Sequence, residues 1–424
     1  MVERPYRSGW CPRTYSNDPP VTGVGCTISF YVDLLSRKRI WYNLYMRLTY
    51  KFRLSPTKAQ RTSLERTLEI CRSVYNDTLT IRRDSYQETG KGVTLFSTNK
   101  LLTQWKKEKP ELREVHSQVL QNVQVRVDLA FQAFFRRVKV GDEPGYPRFK
   151  GKGRYDSFTF PQSGFDLIGD SFLRIHNTGN VKIKIHRPIV GTIKTLTIQR
   201  DAFGNFFACF SCEVDPKPLP VNDNVVGIDL GLTTFAYMSN GEKIERQRWM
   251  KIDAIDIARL QRKKEQFSKG SPERIKVIRA LNHAFQRSTS RRNNFTHQES
   301  RKLVDRYQFI AFEKLDIQDM VSNGMKTISK GIADVAWGQF VQFTTYKAES
   351  AGRGVALVNP RGTTQECSRC HVIVPKDLSI RIHNCPYCGL KLSRDHNAAL
   401  NILGRGLASI SADKSDEVVK APRL

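Results

Sequence analysis

No stretch of this 424-residue chain approaches the roughly 20 consecutive apolar residues that a membrane helix needs. The best candidate, Val24 to Leu35, is short and contains Asp33. A charged start, an apolar stretch and a small-residue cleavage site do not follow in order at the N-terminus, so no secretory signal is expected. Acid is scarce relative to base. Asp and Glu total 41 against 69 Lys and Arg, a formal charge of +28. That balance argues against acidic substrates and ordinary metabolic roles, and points to a polyanionic partner. The nine cysteines are an odd number, and four of them crowd into 22 residues. A disulfide-built secreted scaffold is not expected from this pattern; a reducing compartment and a metal site are. No internal repeat is visible. What the chain has in quantity is apolar residues, 39% with 10% aromatics, enough for real cores. Its length suggests two to four domains.

Residues 1–45 differ from the rest, with Pro19-Pro20, scattered Gly and Trp and no clear period. They read either as an upstream extension before a natural start at Met46 or as a poorly ordered tail. MRLTYKFRLSPTKAQ then predicts an alternating strand followed by a helix, with Ser55 as cap and Pro56 at the first helical position. Residues 57–150 read as helical, with core stripes at Leu64, Leu68, Cys71 and Tyr75 and at Val115, Val119, Val123, Val127, Phe131 and Phe134. Strand patterns follow to about residue 220: VKIKIH from Val181, TIKTLTI from Thr192 and FFACFSCEV from Phe206, the last two joined by a turn at Gly204-Asn205. This predicts a small β domain or barrel.

From Val225 come VVGIDLG, TTFAYMS and, through Asn240-Gly241, EKIE, a predicted run of three antiparallel strands. Two basic helices follow, carrying Ile252, Ile255 and Leu260, then Val277, Leu281 and Phe285, separated by Lys269-Gly270-Ser271-Pro272. A strand at 309–313, a helix around 332–350, a strand at 355–359 and a last helix near Asp395 complete an RNase H-like α/β pattern.

Asp229 lies within Gly227-Ile228-Asp229-Leu230-Gly231, an apolar strand whose glycines let backbone or substrate come close. Glu313 ends the apolar strand FIAFE, and Asp395 stands in SRDHNAA at a helix start. Three acids on separate elements of one sheet suit a pair of Mg²⁺ or Mn²⁺ ions, which at about 4 Å apart activate water and stabilise the leaving oxygen of a phosphodiester. Taken alone, Asp395 also fits a helix N-cap, and Asp229 or Glu313 an arginine pair. Cys367, Cys370, Cys385 and Cys388 form CxxC…CxxC, the spacing of a structural four-cysteine Zn²⁺ ribbon. His371 or His383 offers a substitute ligand. Cys209 and Cys212 read as packing residues. The window 246–306 holds 17 Lys and Arg against 6 Asp and Glu, with Arg291, Arg292, Arg301, Lys302 and Arg306 suited to phosphates. Lys106-Lys107 beside Trp105, and Arg136-Arg137 beside Phe134-Phe135, suit backbone and stacking contacts. His297 reads as a structural polar residue.

GIDLG with Asp229, FIAFEKL with Glu313, and a CxxC…CxxC ribbon running directly into SRDHNAALNIL with Asp395 resemble the split RuvC nuclease of TnpB proteins, relatives of type V CRISPR effectors. YKFRLSPTKAQ, CRSVYND, PGYPRFKGKGRYDSFTF and NPRGTTQECSRC extend the resemblance over roughly residues 46–405. It implies an α/β multidomain protein, with a β-barrel wedge domain, an inserted helical recognition domain, and a RuvC nuclease domain with an inserted zinc ribbon. The corresponding ranges are 46–56 and 151–222 for the wedge, 57–150 for recognition, 223–361 and 393–410 for the nuclease and 362–392 for the ribbon, with 411–424 as a tail. The implied activity is RNA-guided, Mg²⁺-dependent cleavage of double-stranded DNA beside a short flanking motif. The guide RNA comes from the transposon end. Asp229, Glu313 and Asp395 would be the catalytic metal ligands, and the four cysteines would hold Zn²⁺. One protein per guide RNA is expected, in the nucleoid-associated cytoplasm of a prokaryotic-type cell. The family commonly has Gly where this chain has His371. A compact CRISPR effector, a guided DNA-binding regulator with weak nuclease activity and an RNA-independent transposase accessory are the competing readings.

Overall fold

The computed structural model describes residues 46–322, 331, 335–377 and 379–412. The extension at 1–45 and all but two residues of the expected tail lie outside them. Two compact units divide the chain: 46–217 with 250–290, and 218–249 with 291–412.

The first unit is organised by β1 (Met46–Ser55), whose period of two turns Tyr50, Phe52 and Leu54 inward and Arg47, Lys51 and Arg53 outward. It lies inside an antiparallel sheet with β2 (Ser157–Phe160), β3 (Phe165–Ile168), β4 (Phe172–Ile175), β5 (Gly179–Lys184), β6 (Thr192–Arg200) and β7 (Phe206–Val214). The order is β2-β6-β7-β1-β5-β4-β3. The rings of Phe160 and Phe165, from the two edge strands, stand 6.1 Å apart, so the sheet nearly closes. Strands β2 to β4 are four residues each, too short to show a period in the sequence. Asp201 organises the β6–β7 turn by accepting from the amides of Phe203 and Asn205, with Gly204 left-handed. Cys212 faces the core and Cys209 the other side, so the pair cannot share an ion, as the packing reading expected.

Helices α1 (Lys58–Thr89), α2 (Leu95–Glu108) and α3 (Ser117–Val140) pack on this sheet with the predicted stripes, from Leu64 through Tyr75 and from Val115 through Phe131, buried. The α1 cap differs from expectation. Thr57 is the cap, because its hydroxyl accepts from the Gln60 amide while Gln60 Oε1 accepts from the Thr57 amide. Ser55 ends the strand instead. In the helical pair α4 (Trp249–Glu265) and α5 (Pro272–Arg306), Ile257 packs on Leu281 and Ala284, while Ile252 and Ile255 face outward.

The second unit holds a five-stranded sheet, β8 (Val225–Leu230), β9 (Ala236–Met238), β10 (Lys243–Ile244), β11 (Phe309–Glu313) and β12 (Gly354–Val358), in the order β10-β9-β8-β11-β12. The first three strands run antiparallel, and β8, β11 and β12 run parallel. After the short α6 (Ile317–Ser322), α7 (Trp337–Ala351) contributes Phe340 to the core formed with Val226, Ile228, Ile310 and Phe312. The opposite face takes α8 (Arg394–Ala412), whose Ile402 meets Phe309 and Ala311. Closeness here depends on missing side chains. A Cβ on Gly227 would lie 2.2 Å from the Ala399 carbonyl oxygen, and one on Gly406 2.6 Å from the Ala311 Cβ. Among the described residues no helix is long and apolar enough to cross a membrane.

Candidate functional site

Strand alternation decides which acids meet. In β8, Val226 and Ile228 face α7, so Gly227 and Asp229 face α8. In β11, Ile310 and Phe312 face α7, so Ala311 and Glu313 face α8. The parallel register pairs Phe312 with Ile228, which brings Glu313 level with Asp229 on neighbouring strands. Asp395 enters from the first turn of α8. Burial, then the charges of Glu313 and Asp395, hold the Asp229 carboxyl well above the usual carboxylate range, against the pull of Arg394. Burial also raises Glu313, while the Thr363 hydroxyl and Arg405 pull it down. The Arg394 Nε lies 3.5 Å from an Asp395 oxygen. The arrangement is therefore short of positive charge, and oxygen donors of this kind suit a hard divalent cation.

Sequence reasoning missed the residues that hold this site. Thr363 is buried and donates to Glu313 Oε1. Asn397, Asn401 and Arg405 recur at four-residue spacing along one face of α8 and reach the 359–368 segment. Asn401 Nδ2 donates to the Thr363 and Glu366 carbonyls at 2.8 and 2.7 Å. Asn397 Nδ2 donates to the Glu366 carbonyl at 2.7 Å, and its Oδ1 accepts from the Ser368 amide at 3.0 Å. Arg405 donates to the Asn359 and Arg361 carbonyls and to the Glu366 carboxylate. His396 Nε2 donates to the Ser239 carbonyl at 3.0 Å, and its ring stacks on Tyr237, tying the start of α8 to the β9 strand. The i, i+4, i+8 polar spacing was the available signal; its partners lie about 30 to 50 residues away in sequence.

The four cysteines come together in two copies of one turn. In each, the first cysteine's carbonyl accepts from the residue after the second, His371 at 2.9 Å and Gly389 at 3.0 Å. Each first cysteine's amide then donates to the next carbonyl, Val372 at 3.0 Å and Leu390 at 2.9 Å. Both turns need a left-handed residue, with φ of +72° at Gly389 and +58° at His371. His371 thus takes a conformation that favours glycine, and its Nδ1 lies 3.0 Å from Glu366 Oε1. The strands β13 (Ile382–Asn384) and β14 (Lys391–Ser393) brace the second turn. All four sulfurs lie within 4.8 Å of one another, with Cys367–Cys388 and Cys370–Cys385 both at 3.6 Å. A tetrahedron with metal–sulfur bonds of about 2.3 Å has edges of about 3.8 Å, so the donor set fits Zn²⁺. The neighbouring imidazole of His383 contacts the Lys376 amine instead. Among the described residues the four thiols are the one ligand group gathered this tightly; Asp229, Glu313 and Asp395 are not gathered to that degree.

Several of the basic residues singled out are already partnered. Arg301 pairs with Asp305, Lys302 with Glu299 and Arg306 with Glu242. Arg291 stacks over Trp249 at 5.7 Å. Trp105 is buried and offers no stacking face, whereas Phe135 is exposed. His297 stacks on Phe343 at 3.9 Å, in keeping with a structural role.

Three family profiles match the chain: a helix-turn-helix domain over 46–91, a probable transposase over 209–324 and a Cas12f1-like TNB domain over 337–402. The first covers β1 and the single helix α1 here, a strand and one helix with no second helix. A putative RNA-guided DNA endonuclease of Streptomyces pristinaespiralis is 31% identical over 367 residues, 85% of this chain and 89% of that protein. A TnpB-like protein of Acanthamoeba polyphaga mimivirus is 30% identical over 244 residues, 53% of this chain and 46% of that protein. The protein in a solved Cas12f1–sgRNA–target DNA complex shares the fold, with a TM-score of 0.54 at 12% identity over 85% of this chain and 99% of that one. With 31% identity over 89% of the Streptomyces relative, and with the motifs in the order described, this chain belongs to the TnpB family.

Proposed function

We propose that this chain is a transposon-associated RNA-guided DNA endonuclease whose nuclease centre is Asp229, Glu313 and Asp395 on an RNase H-like, RuvC-type sheet. The observation that carries the reading is the placement of two strand-borne carboxylates level with each other on the α8 face, beside the first turn of α8. The Streptomyces relative, described as a putative RNA-guided DNA endonuclease, supports the activity class. Divalent ions, Mg²⁺ or Mn²⁺, would be held by these three carboxylates and would supply an activated water and charge stabilisation at the scissile phosphate. Burial and its two acidic neighbours disfavour a charge on Asp229, a repulsion that a bound cation would relieve. Thr363 orients Glu313 and favours its ionised form. Arg394 offsets part of the cluster's charge, and His396 fixes the helix turn that carries Asp395. Cys367, Cys370, Cys385 and Cys388 would hold a structural Zn²⁺. The seven-stranded sheet and the helices α1 to α3 would be the wedge and recognition domains, gripping guide RNA and target DNA through outward Lys and Arg.

The direct test is to express the protein beside its native flanking DNA, sequence the copurifying RNA, and assay a matched duplex. One abundant RNA ending in variable flanking sequence, with cutting that needs both RNA and Mg²⁺, is expected. A loaded complex that binds its target without cutting, metal present, would refute the nuclease reading.

Thr363→Val tests the orientation of Glu313. Loss of the hydroxyl removes a hydrogen bond to a charged group and raises the Glu313 pKa further. Cleavage near neutral pH should fall about tenfold. The acid limb of the pH–rate profile should move to higher pH, and Thr363→Ser should restore both. An unshifted profile would show that Thr363 only packs.

A further inference from the structure

Beyond its buried stripe, α3 overhangs the core. Val119, Val123, Val127 and Phe131 are buried, but Phe134 is half-buried and Phe135 is 61% exposed. The chain then turns back through Gly141, left-handed at φ +78°, and the 145–150 loop returns to α1. Asn76 fixes the end of that loop, donating to the Lys150 carbonyl at 3.0 Å and accepting from the Lys150 amide at 2.8 Å. Arg72 donates to the same carbonyl at 3.0 Å. Phe149 is therefore presented beside an anchored residue, Lys150. Tyr146 stands edge-on to Phe131 at 5.6 Å and to Phe134 at 5.4 Å, yet is 45% exposed. Phe149 is 47% exposed, with the Arg83 guanidinium 5.3 Å from its ring centre.

Large exposed aromatics are costly in water unless something covers them. The charge around them selects the cover. Arg136, Arg137 and Arg148 are exposed and carry no ion pair among the described residues. The Arg137 guanidinium reaches the loop, 3.9 Å from where a Cβ on Gly145 would stand. A second copy of this chain would bring the same arginines against these, so like charges oppose self-association through this face. A stacked base with its phosphate satisfies both components: rings take the base, and guanidinium groups take the backbone.

We propose that Phe135, Tyr146 and Phe149, with Arg136, Arg137 and Arg148, form a stacking platform for unpaired nucleotides of RNA. The choice of RNA rests on the guided-nuclease reading, in which the resident strand with unpaired bases is RNA. Full-length protein would be titrated with a labelled oligouridylate of about 20 nucleotides, an oligothymidylate and a blunt RNA duplex of the same length. In the triple variant Phe135→Ala/Tyr146→Ala/Phe149→Ala, oligouridylate affinity should fall about a hundredfold, with duplex affinity changed less than about threefold. The salt slope should stay as in wild type, because no phosphate contact is lost, whereas Arg136→Gln/Arg137→Gln should flatten it. Tryptophan at the same three positions should preserve single-strand binding and guards against a fold defect. Equal losses for single strand and duplex would overturn the proposal. So would a loss confined to oligothymidylate, or a dimer abolished by the alanines. Cleavage assayed in parallel separates the two claims. A triple variant that binds oligouridylate normally while wild type cuts with RNA sinks the platform alone; selective binding by a wild type that never cuts sinks the nuclease alone.

Discussion

Asp229→Asn is expected to abolish DNA cleavage while making the metal-free protein more stable. Cleavage should drop by about a thousandfold or more, about 4 kcal/mol of barrier, because the variant lacks one of the three carboxylates proposed to hold the metal. Stability should rise because burial, Glu313 and Asp395 all disfavour a charge at this position. Each kcal/mol relieved is worth about 2–4 °C in Tm for a unit of this size. The pH dependence has a definite sign. Asp229 and Glu313 both have folded-state pKa values above their unfolded ones. The stability tied to their protonated forms is fully present below the unfolded carboxylate range, about pH 4, and is lost as pH rises through the raised folded values. Relative to the variant, metal-free wild type should therefore lose Tm as pH rises from 4 toward 8. The variant should lose less. Mg²⁺ should restore more Tm to wild type at pH 8 than at pH 5. Melting curves in chelator and in Mg²⁺ read all three, and identical pH dependence in the two proteins would contradict the arrangement.

Cys385→Ser is expected to cost the protein its zinc and, with it, order far beyond the ribbon. Structural zinc in small sites contributes about 10–16 kcal/mol of apparent binding free energy near neutral pH. Here that energy is linked to the carboxylates through a short path. Cys367 and Ser368 adjoin Glu366, whose carbonyl is held by Asn397 and Asn401 and whose carboxylate is held by Arg405. Thr363, three residues earlier, holds Glu313. Metal analysis should find about one zinc per wild-type chain and none in the variant. Hydrogen exchange should show lost protection in 363–397, and cleavage should fall together with it. Antiparallel strands β1 and β7 belong to a separate compact unit and should keep their protection. A zinc-free chain with an intact 363–397 segment would show that the asparagine clamp holds the site unaided.

The largest elements were legible in the text because their periods are strong. The α1 stripe, the β6 and β7 alternation and the apolar FIAFE strand are buried where expected. The cysteine cluster was legible because the two CxxC turns place ligands by local geometry. Legibility failed where local rules compete. Ser55-Pro56 looked like a cap, but strand pairing extends to Ser55 and the Thr57–Gln60 box begins the helix. Ile252 and Ile255 read as helix-face residues, yet the α4–α5 contact is made by Ile257. The charge count of the basic run 291–306 did not show that three of its five named cations have carboxylate partners of their own.

By itself, then, the sequence determined which residues can carry charge, thiol or strand character, because composition and period act within a few residues of one another. It named Asp229, Glu313, Asp395 and the four cysteines. Only the tertiary structure decided which of them meet. The β8–β11 register sets Glu313 level with Asp229, and the missing side chain of Gly227 lets α8 approach the sheet close to Asp229. Thr363, Asn397, Asn401 and His396 acquire their roles only there, since their partners are dozens of residues away in the chain. The physical reason is range: hydrogen bonds, burial and carboxylate repulsion act through space over a few ångströms, and folding alone brings distant residues within that distance.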